Sequence, residues 1–369
     1  MSKIAHLTSV HSRYDIRIFR KQCRTLAQAG HEVCLIVADG KGDEVKDGVR
    51  IIDVGKLSGR LNRIFRTTRK VHDRALALQA DIYQLHDPEL IPVGVRLKKH
   101  GKKVIFDSHE DVPKQLLSKP YLHPLARRIV AGVFSGYEKY ACRKLDAILT
   151  ATPHIRDKFK NINKNVLDVN NFPMLGELDA MVPWTHKKNE VCYVGGITSI
   201  RGIREVINSL ALVKTGARLN LVGRFSEPDV EREAKTLRGW QAVNEHGQLD
   251  REEVRDVLGS SLAGLVTFHP LPNHIDAQPN KMFEYMSSGI PVIASYFPLW
   301  REIIEGSNCG LCVDPLQPTA IAEAIDYLVS HPEEAAALGR NGQRAVNERY
   351  NWDLEGRKLL QFYTELLNK

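Results

Sequence analysis

Pro279-Asn280-Lys281-Met282-Phe283-Glu284-Tyr285-Met286-Ser287-Ser288-Gly289-Ile290-Pro291-Val292-Ile293-Ala294-Ser295 is the stretch from which the fold reads outward. Pro279, with its fixed φ, suits the start of a short helix over Lys281–Ser287. The apolar run Pro291–Ala294 that follows has the length of a buried strand, and Leu262–Phe268 upstream is a second such run. The same alternation continues on both sides. Val191–Val194, Arg218–Val222 and Leu311–Val313 read as strands; Ile203–Leu212, Asp229–Arg238, Arg251–Leu258, Thr319–Val329 and Glu333–Arg349 read as helices, and Asn351–Leu367 as a last amphipathic one.

The front of the chain repeats the pattern. Strands are expected at Ile4–Val10, Glu32–Ala38, Ile82–Leu85, Lys103–Asp107, Ala147–Ala151 and Val166–Asn170, with helices at Ile16–Ala29, Pro88–Lys99 and Leu122–Leu145 between them. In the last helix Leu125, Ile129, Val133, Tyr137, Ala141 and Leu145 recur every four residues, which predicts one apolar side. Asn171–Asn189, with Pro173, Gly176 and Pro183 and no periodicity, reads as a linker. The expected class is α/β: two Rossmann-like domains facing across a cleft, residues 1–172 and 190–350, with residues 351–369 as a helix packing back on the first.

Composition narrows the function classes. The 369 residues, 43% hydrophobic and 26% charged, exclude a disordered chain, a collagen-like repeat and a disulfide scaffold. Fifty-two Lys and Arg against 44 Asp and Glu leave +8, which favours an anionic partner. Six scattered cysteines read as small buried hydrophobes; Cys309-Gly-Leu-Cys312 lacks the second pair a zinc site needs. No apolar run approaches the roughly 18 residues of a membrane span, and no signal-peptide pattern precedes the first strand, so a cytoplasmic protein is expected.

In open parallel sheets ligands bind beyond the carboxyl ends of strands, so the loops there hold the candidates. A dinucleotide fingerprint and a P-loop are both missing, which argues against a dehydrogenase or a P-loop ATPase. His11-Ser-Arg-Tyr-Asp15-Ile-Arg17 is a polar, basic loop opening a helix: His11, Asp15 and Arg17 are candidates for substrate contact, and Asp15 is equally suited to cap that helix. Phe106-Asp-Ser-His109-Glu110-Asp111 gathers titratable groups in one turn, where His109 could donate to a sugar hydroxyl or phosphate oxygen; His86-Asp87 is a smaller version. Gly195-Gly196 to Arg201-Gly202 lets a ligand approach the backbone, and Arg201 offers a fork to two phosphate oxygens. Lys281 and Glu284, three apart on a helix, place a cation for phosphate and a carboxylate for ribose hydroxyls within reach of one ligand, unless they form a surface ion pair. His269, His274 and Asp276 read more simply as polar loop residues than as metal ligands.

The pattern Pro279-x-Lys281-x-x-Glu284-Tyr285-Met286-x-x-Gly289-x-Pro291-Val292-Ile293 resembles the donor-site signature of retaining, nucleotide-sugar-dependent glycosyltransferases of family 4, and Asp276 stands where their first acid, usually Glu, precedes Glu284 by the same spacing. His11 to Arg17 resembles the family's first loop, Gly195 to Gly202 its phosphate loop, and Asn351-Trp352 the start of its final helix. The resemblance implies a GT-B fold, a donor on the C-terminal domain and an acceptor on the N-terminal one. It further implies Glu284 on the ribose, Arg201 on the diphosphate, Lys281 near the phosphates, Asp276 near the donor sugar and His109 beside the reacting centre. His86 and Glu110 join His11, Asp15 and Arg17 on the acceptor side. Gly196 departs from many relatives, which carry Arg there, so the second phosphate cation falls to Arg224 or Lys281.

Breaking a sugar–phosphate bond builds negative charge on the diphosphate, which preorganised cations and helix N-termini stabilise. No Asp-x-Asp occurs, so no tightly bound metal or other cofactor is expected. Residues 56–74 hold Lys56, Arg60, Arg63, Arg66, Arg69, Lys70 and Arg74 against Asp73 alone, with Leu57, Leu61, Ile64, Phe65, Thr68 and Val71 at helical spacing. Such a helix suits an anionic membrane surface as well as a core with a solvated basic face. Together these give the expectation of a peripheral enzyme on the inner face of the plasma membrane, moving a sugar, with a UDP-sugar favoured, to a lipid-linked glycan of surface polysaccharide or lipopolysaccharide. The alternatives are a nucleotide-sugar 2-epimerase of similar fold and a basic nucleic-acid-binding protein, the latter without any recognisable nucleic-acid motif.

Overall fold

The computed structural model describes residues 1–117, 123–179 and 182–368. The chain divides into two compact units, Met1–Asn171 with Leu354–Lys369, and Phe172–Asp353.

The first unit is built on an eight-stranded sheet of order β3-β4-β2-β1-β5-β6-β7-β8. Its strands are β1 Lys3–Leu7, β2 Glu32–Val37, β3 Glu44–Lys46, β4 Val49–Asp53, β5 Ile82–Leu85, β6 Lys103–Ser108, β7 Ala147–Thr150 and β8 Val166–Asp168. All neighbours pair in parallel except β3 with β4. Most interior strands are buried on both faces, which is why β2 and β7 read as apolar runs, while β1 and β5 each bury one polar residue, His6 and Gln84. The β3–β4 hairpin was not anticipated. Its signal is Asp47-Gly48, both with positive φ, the turn chemistry that a tight hairpin demands.

The Trp352–Leu367 helix joins this unit from Leu354 onward. Glu355 accepts from the Asn170 amide at 2.7 Å, and buried Tyr363 donates to the Gln84 side chain.

One helix turns out differently from its periodicity. Pro124–Cys142 is helical, the expected start at Leu122 lying outside the described residues, but its four-residue repeat does not make one buried side. At 3.6 residues per turn, each step of four drifts by about 40° around the axis. Leu125, Ile129 and Val133 therefore face solvent, while Ala141 and Leu145 reach the core.

The second unit carries a six-stranded, wholly parallel sheet of order β11-β10-β9-β12-β13-β14. The strands are β9 Glu190–Val194, β10 Arg218–Val222, β11 Val243–Gly247, β12 Ala263–Val266, β13 Val292–Ser295 and β14 Gly310–Val313. β11 escaped the sequence reading because Val-Asn-Glu-His-Gly is a polar edge strand with no apolar run. The Asn171–Asn189 stretch is more than a linker. Phe172 and Leu178 are buried in the second unit's core, and the Phe172 ring meets those of Phe283 and Tyr350 edge-on at 4.7 and 5.3 Å. Two large apolar side chains in a Pro/Gly-rich segment outweigh its turn chemistry, because burying each is worth about 1.5–3 kcal/mol.

Candidate active site

In the second unit the loop after β9 runs through Gly195 and Gly196 to a short 3-10 turn, Ser199–Arg201, and into the helix Ile203–Leu210. Gly202 at the junction has φ +75°, and a Cβ there would lie 2.0 Å from the Thr267 carbonyl, so only glycine lets the loop close onto the end of β12. Arg201 folds back so that Nη1 donates to the Gly196 carbonyl at 3.1 Å. A Cβ at 196 would lie 2.9 Å from that guanidinium, a contact the flexible Arg201 tip can relieve by moving.

The Asn280–Ser287 helix brings the signature residues to the same loop. Tyr285 anchors it: the ring lies on Gly264, where any Cβ would clash at 2.3 Å, and the hydroxyl accepts from the Val194 amide at 2.9 Å. Lys281 is thereby drawn inside, 7% exposed, its Nζ 3.5 Å from the centre of the Tyr193 ring. Phe268 lies between the two cations, 5.6 Å from Lys281 Nζ and 5.3 Å from Arg201 Cζ. Among the described residues the Lys281 ammonium has no hydrogen-bond partner. Burial, and then the charge of Arg201, hold its pKa well below the usual lysine value.

Glu284 does not pair with Lys281, so the surface ion pair weighed above is not formed. Its Oε1 accepts from Arg251 Nη1 at 2.8 Å, while the same guanidinium forks onto Glu177 at 2.9 and 3.1 Å. Arg251 and Glu177 went unnoticed in the sequence; they lie far from Glu284 along the chain and carry no local pattern. Asp276 is half-buried on the loop before the helix, a loop pinned by Trp300 Nε1 donating to the Ala277 carbonyl at 2.7 Å. Arg224 is exposed, with its backbone carbonyl taken by the Ile197 amide.

The first unit gathers a second polar cluster at the ends of β1, β5 and β6. Asp107 is fully buried. Arg17 forks onto it, Nη2 to Oδ1 at 2.6 Å and Nε to Oδ2 at 3.1 Å, and donates its remaining nitrogen to the Val169 carbonyl. Burial pushes the Asp107 carboxyl up, but Arg17 and His109 outweigh it and hold the group well below the usual carboxylate range. Gln22 adds a bond at 2.8 Å.

His86 and His109 both reach Asp107 Oδ2, each at 3.2 Å, and His86 Nε2 meets His6 Nδ1 at 2.9 Å. Asp107 Oδ2 accepts from His109 Nε2 in the tautomer that leaves Nδ1 as an acceptor. Burial lowers the pKa of His86 and of His6. His86, Asp107 and His109 also have donor atoms close enough together to ligate a metal ion. The fork from Arg17 already neutralises the carboxylate, and the set is self-consistent as a hydrogen-bond network.

Two residues expected on the acceptor side are therefore structural. Arg17, on the Ile16–Cys23 helix and 4% exposed, is a strut for Asp107, and His86, just past the end of β5, is sealed between His6 and Asp107, so both spend their polar atoms internally. Asp15 caps the Ile16–Cys23 helix, accepting from the Arg17 and Ile18 amides at 2.9 Å. Burial would raise its pKa, but His11 and the Ile18 amide bring it down to about 2. His11 stays half-exposed, bonded to Asp15 at 3.2 Å, its ring 5.0 Å from that of His109. Against the cost of burial, Asp15 and Asp87 raise its pKa. His109 is partly open and Glu110 exposed, the latter bonded to Gln115.

Two family models match the chain: Glycosyl transferases group 1 over residues 177–345 and Glycosyltransferase Family 4 over residues 17–166. D-rhamnosyltransferase WbpZ of Pseudomonas aeruginosa is 24% identical over 294 residues, 75% of this chain and 71% of that protein. Matches to sucrose synthases span 11% and 23% of those proteins' length. The sucrose-phosphate synthase of Thermosynechococcus elongatus superimposes with a TM-score of 0.79 at 20% identity, covering 100% of both chains. Anabaena HepE, solved with UDP and glucose, gives 0.74 at 14% identity over 99% of this chain and 100% of that one.

Proposed function

We propose that this chain, which belongs to the glycosyltransferases of GT-B fold, is a retaining enzyme that moves a sugar from a UDP-sugar to a lipid-linked glycan in the synthesis of a surface polysaccharide or lipopolysaccharide. One observation carries the donor side. A buried lysine nitrogen without a hydrogen-bond partner among the described residues, beside a glycine loop and a second cation, suits an anion. An unpaired buried charge is costly, and a diphosphate seated there would satisfy it.

In this reading Lys281 and Arg201 meet the diphosphate, Gly195 and Gly196 admit it to the backbone, and Arg224 covers its outer side. The cations stabilise the charge that grows on the leaving group as the sugar–phosphate bond breaks, and we propose no tightly bound metal for that task. Glu284, its Oε1 held by Arg251, presents Oε2 to the ribose hydroxyls, and Asp276 reads the donor sugar. On the first unit His109 offers an acceptor nitrogen to a sugar hydroxyl, with His11 and Glu110 on the acceptor side. HepE, crystallised with UDP and glucose, supports a uridine donor, and the D-rhamnosyltransferase supports a bacterial glycan as product. No observation favours the epimerase or the nucleic-acid-binding alternative.

The Arg60–Leu78 stretch, helical throughout, buries Thr67, Val71 and Ala75 and leaves Leu61 and Phe65 outside among its arginines. That supports contact of residues 56–74 with an anionic membrane. No helix among the described residues is long and apolar enough to cross one.

The test is a thermal-shift screen with UDP, GDP, ADP and CMP, since a ligand of the native state raises the melting temperature. A shift with UDP alone is expected; equal small shifts with all four would remove the uridine site. In the same preparation His109→Ala is expected to lower turnover while leaving the UDP shift intact.

A further inference from the structure

The Pro124–Cys142 helix is packed inside out. Ala131, Ala141 and Cys142 face the core, whereas Leu125, Ile129, Val133 and Tyr140 are 61%, 57%, 70% and 60% exposed. Val130 and Tyr137 extend the same outer stripe. Core-facing helices of a folded protein show the reverse arrangement. A contiguous apolar surface of this kind marks an interaction site.

Its charges say with what. Arg128 and Lys139 are exposed beside the stripe, and Arg143 and Lys144 follow at its end. The helix's one acid, Glu138, is 1% exposed and bonded to Lys158 at 2.7 Å, so no carboxylate meets the outside. Aromatic and aliphatic side chains bordered only by cations fit the boundary between acyl chains and anionic headgroups. A two-fold contact with a second copy would bring these cations against one another, where an anionic bilayer neutralises them.

We infer that the outer face of the Pro124–Cys142 helix seats on an anionic phospholipid bilayer, with Ile129, Val133 and Tyr140 entering the headgroup boundary and Arg128 and Lys139 meeting phosphates. The inference concerns a different segment from residues 56–74. The Ile91–Lys99 helix packs against both the Thr68–Leu78 and the Pro124–Cys142 helices, so the two basic stripes lie on the same side of the first unit's sheet. It stands whether or not the donor is a UDP-sugar.

Vesicle flotation of the full chain tests it, comparing phosphatidylglycerol–phosphatidylcholine vesicles with pure phosphatidylcholine. The wild type is expected to float with the anionic vesicles. The triple variant Ile129→Gln, Val133→Gln, Tyr140→Gln is expected to lose about tenfold or more of that partitioning, with its melting temperature and UDP shift unchanged. Arg128→Glu with Lys139→Glu is expected to abolish the preference for anionic lipid while folding as before. Undiminished flotation of the triple variant overturns the inference. So does a fall in oligomeric state in sedimentation with vesicle binding retained, which would assign the stripe to a second copy. Loss of flotation on Leu61→Gln with Phe65→Gln, but not in the triple variant, would place the contact on residues 56–74 instead.

Discussion

Asp107 in the first unit and Lys281 in the second are both buried charges near the ends of parallel strands, yet the fold treats them oppositely. Asp107 is saturated by Arg17, Gln22, His86 and His109. Lys281 sits over an aromatic ring near another cation, with no hydrogen bond to its nitrogen among the described residues. A saturated charge is part of the architecture; an unsatisfied one is a demand that a ligand can meet. The contrast separates a charge that holds the first unit together from one whose hydrogen bonds the second unit leaves open.

The sharpest way to break that comparison is to remove the saturated charge. Asp107→Asn leaves the Arg17 guanidinium buried without a counter-charge, and breaking a buried pair from one side costs about 3–5 kcal/mol. Urea unfolding measures it, and a loss below about 1 kcal/mol would mean that the network is not structural.

Lys281→Met should do the reverse. Losing charge-assisted bonds worth about 1.5–3 kcal/mol each weakens UDP by about 10- to 100-fold, while the unliganded protein keeps or raises its melting temperature. A destabilised apo protein with intact UDP affinity would make Lys281 a structural residue like Asp107.

Glu284→Ala sharpens the donor side further. It removes hydrogen bonds from a diol to a carboxylate whose charge Arg251 already shares, each worth about 0.5–1.5 kcal/mol, and leaves Arg251 still forked onto Glu177. Isothermal titration should show a loss of about 2- to 10-fold; unchanged affinity would take Glu284 out of the site.

The smallest expected effect is on pH. Lys281 is held below its usual pKa when unliganded, and a diphosphate restores the charged form. Wherever the pH lies above that depressed value binding takes up a proton, and there UDP affinity should fall as pH rises, by at most about tenfold per unit. Titration in buffers of different ionisation heat detects the proton. Its persistence in the Lys281→Met variant would move the effect to another group.

Strand–helix alternation and the two-unit architecture were legible because buried parallel strands are mostly apolar runs, as in Val33–Val37 and Val292–Ala294. The edge strands β3 and β11 were missed because they carry no such run, and the interior strand β4 was missed because Arg50 breaks its short apolar stretch. The donor candidates lay within short motifs, Gly195 to Gly202 and Pro279 to Glu284; that Lys281 lies beside Gly195 came only with the fold. So did the histidine network. His6, His86, His109, Asp107 and Arg17 come from separate strands and a helix, and no spacing in one segment records which of them will face each other.

Local pattern decides what can be decided within a turn or a strand: periodicity, glycine where the backbone must close, a proline at a helix start. Whether Arg17 meets a substrate or a buried aspartate, whether Lys281 is paired, and which way the Pro124–Cys142 helix turns its leucine and valines depend on contacts between residues far apart in sequence. Those contacts are settled by packing, because burial removes the water that would otherwise satisfy each group, and only the folded neighbours determine what replaces it.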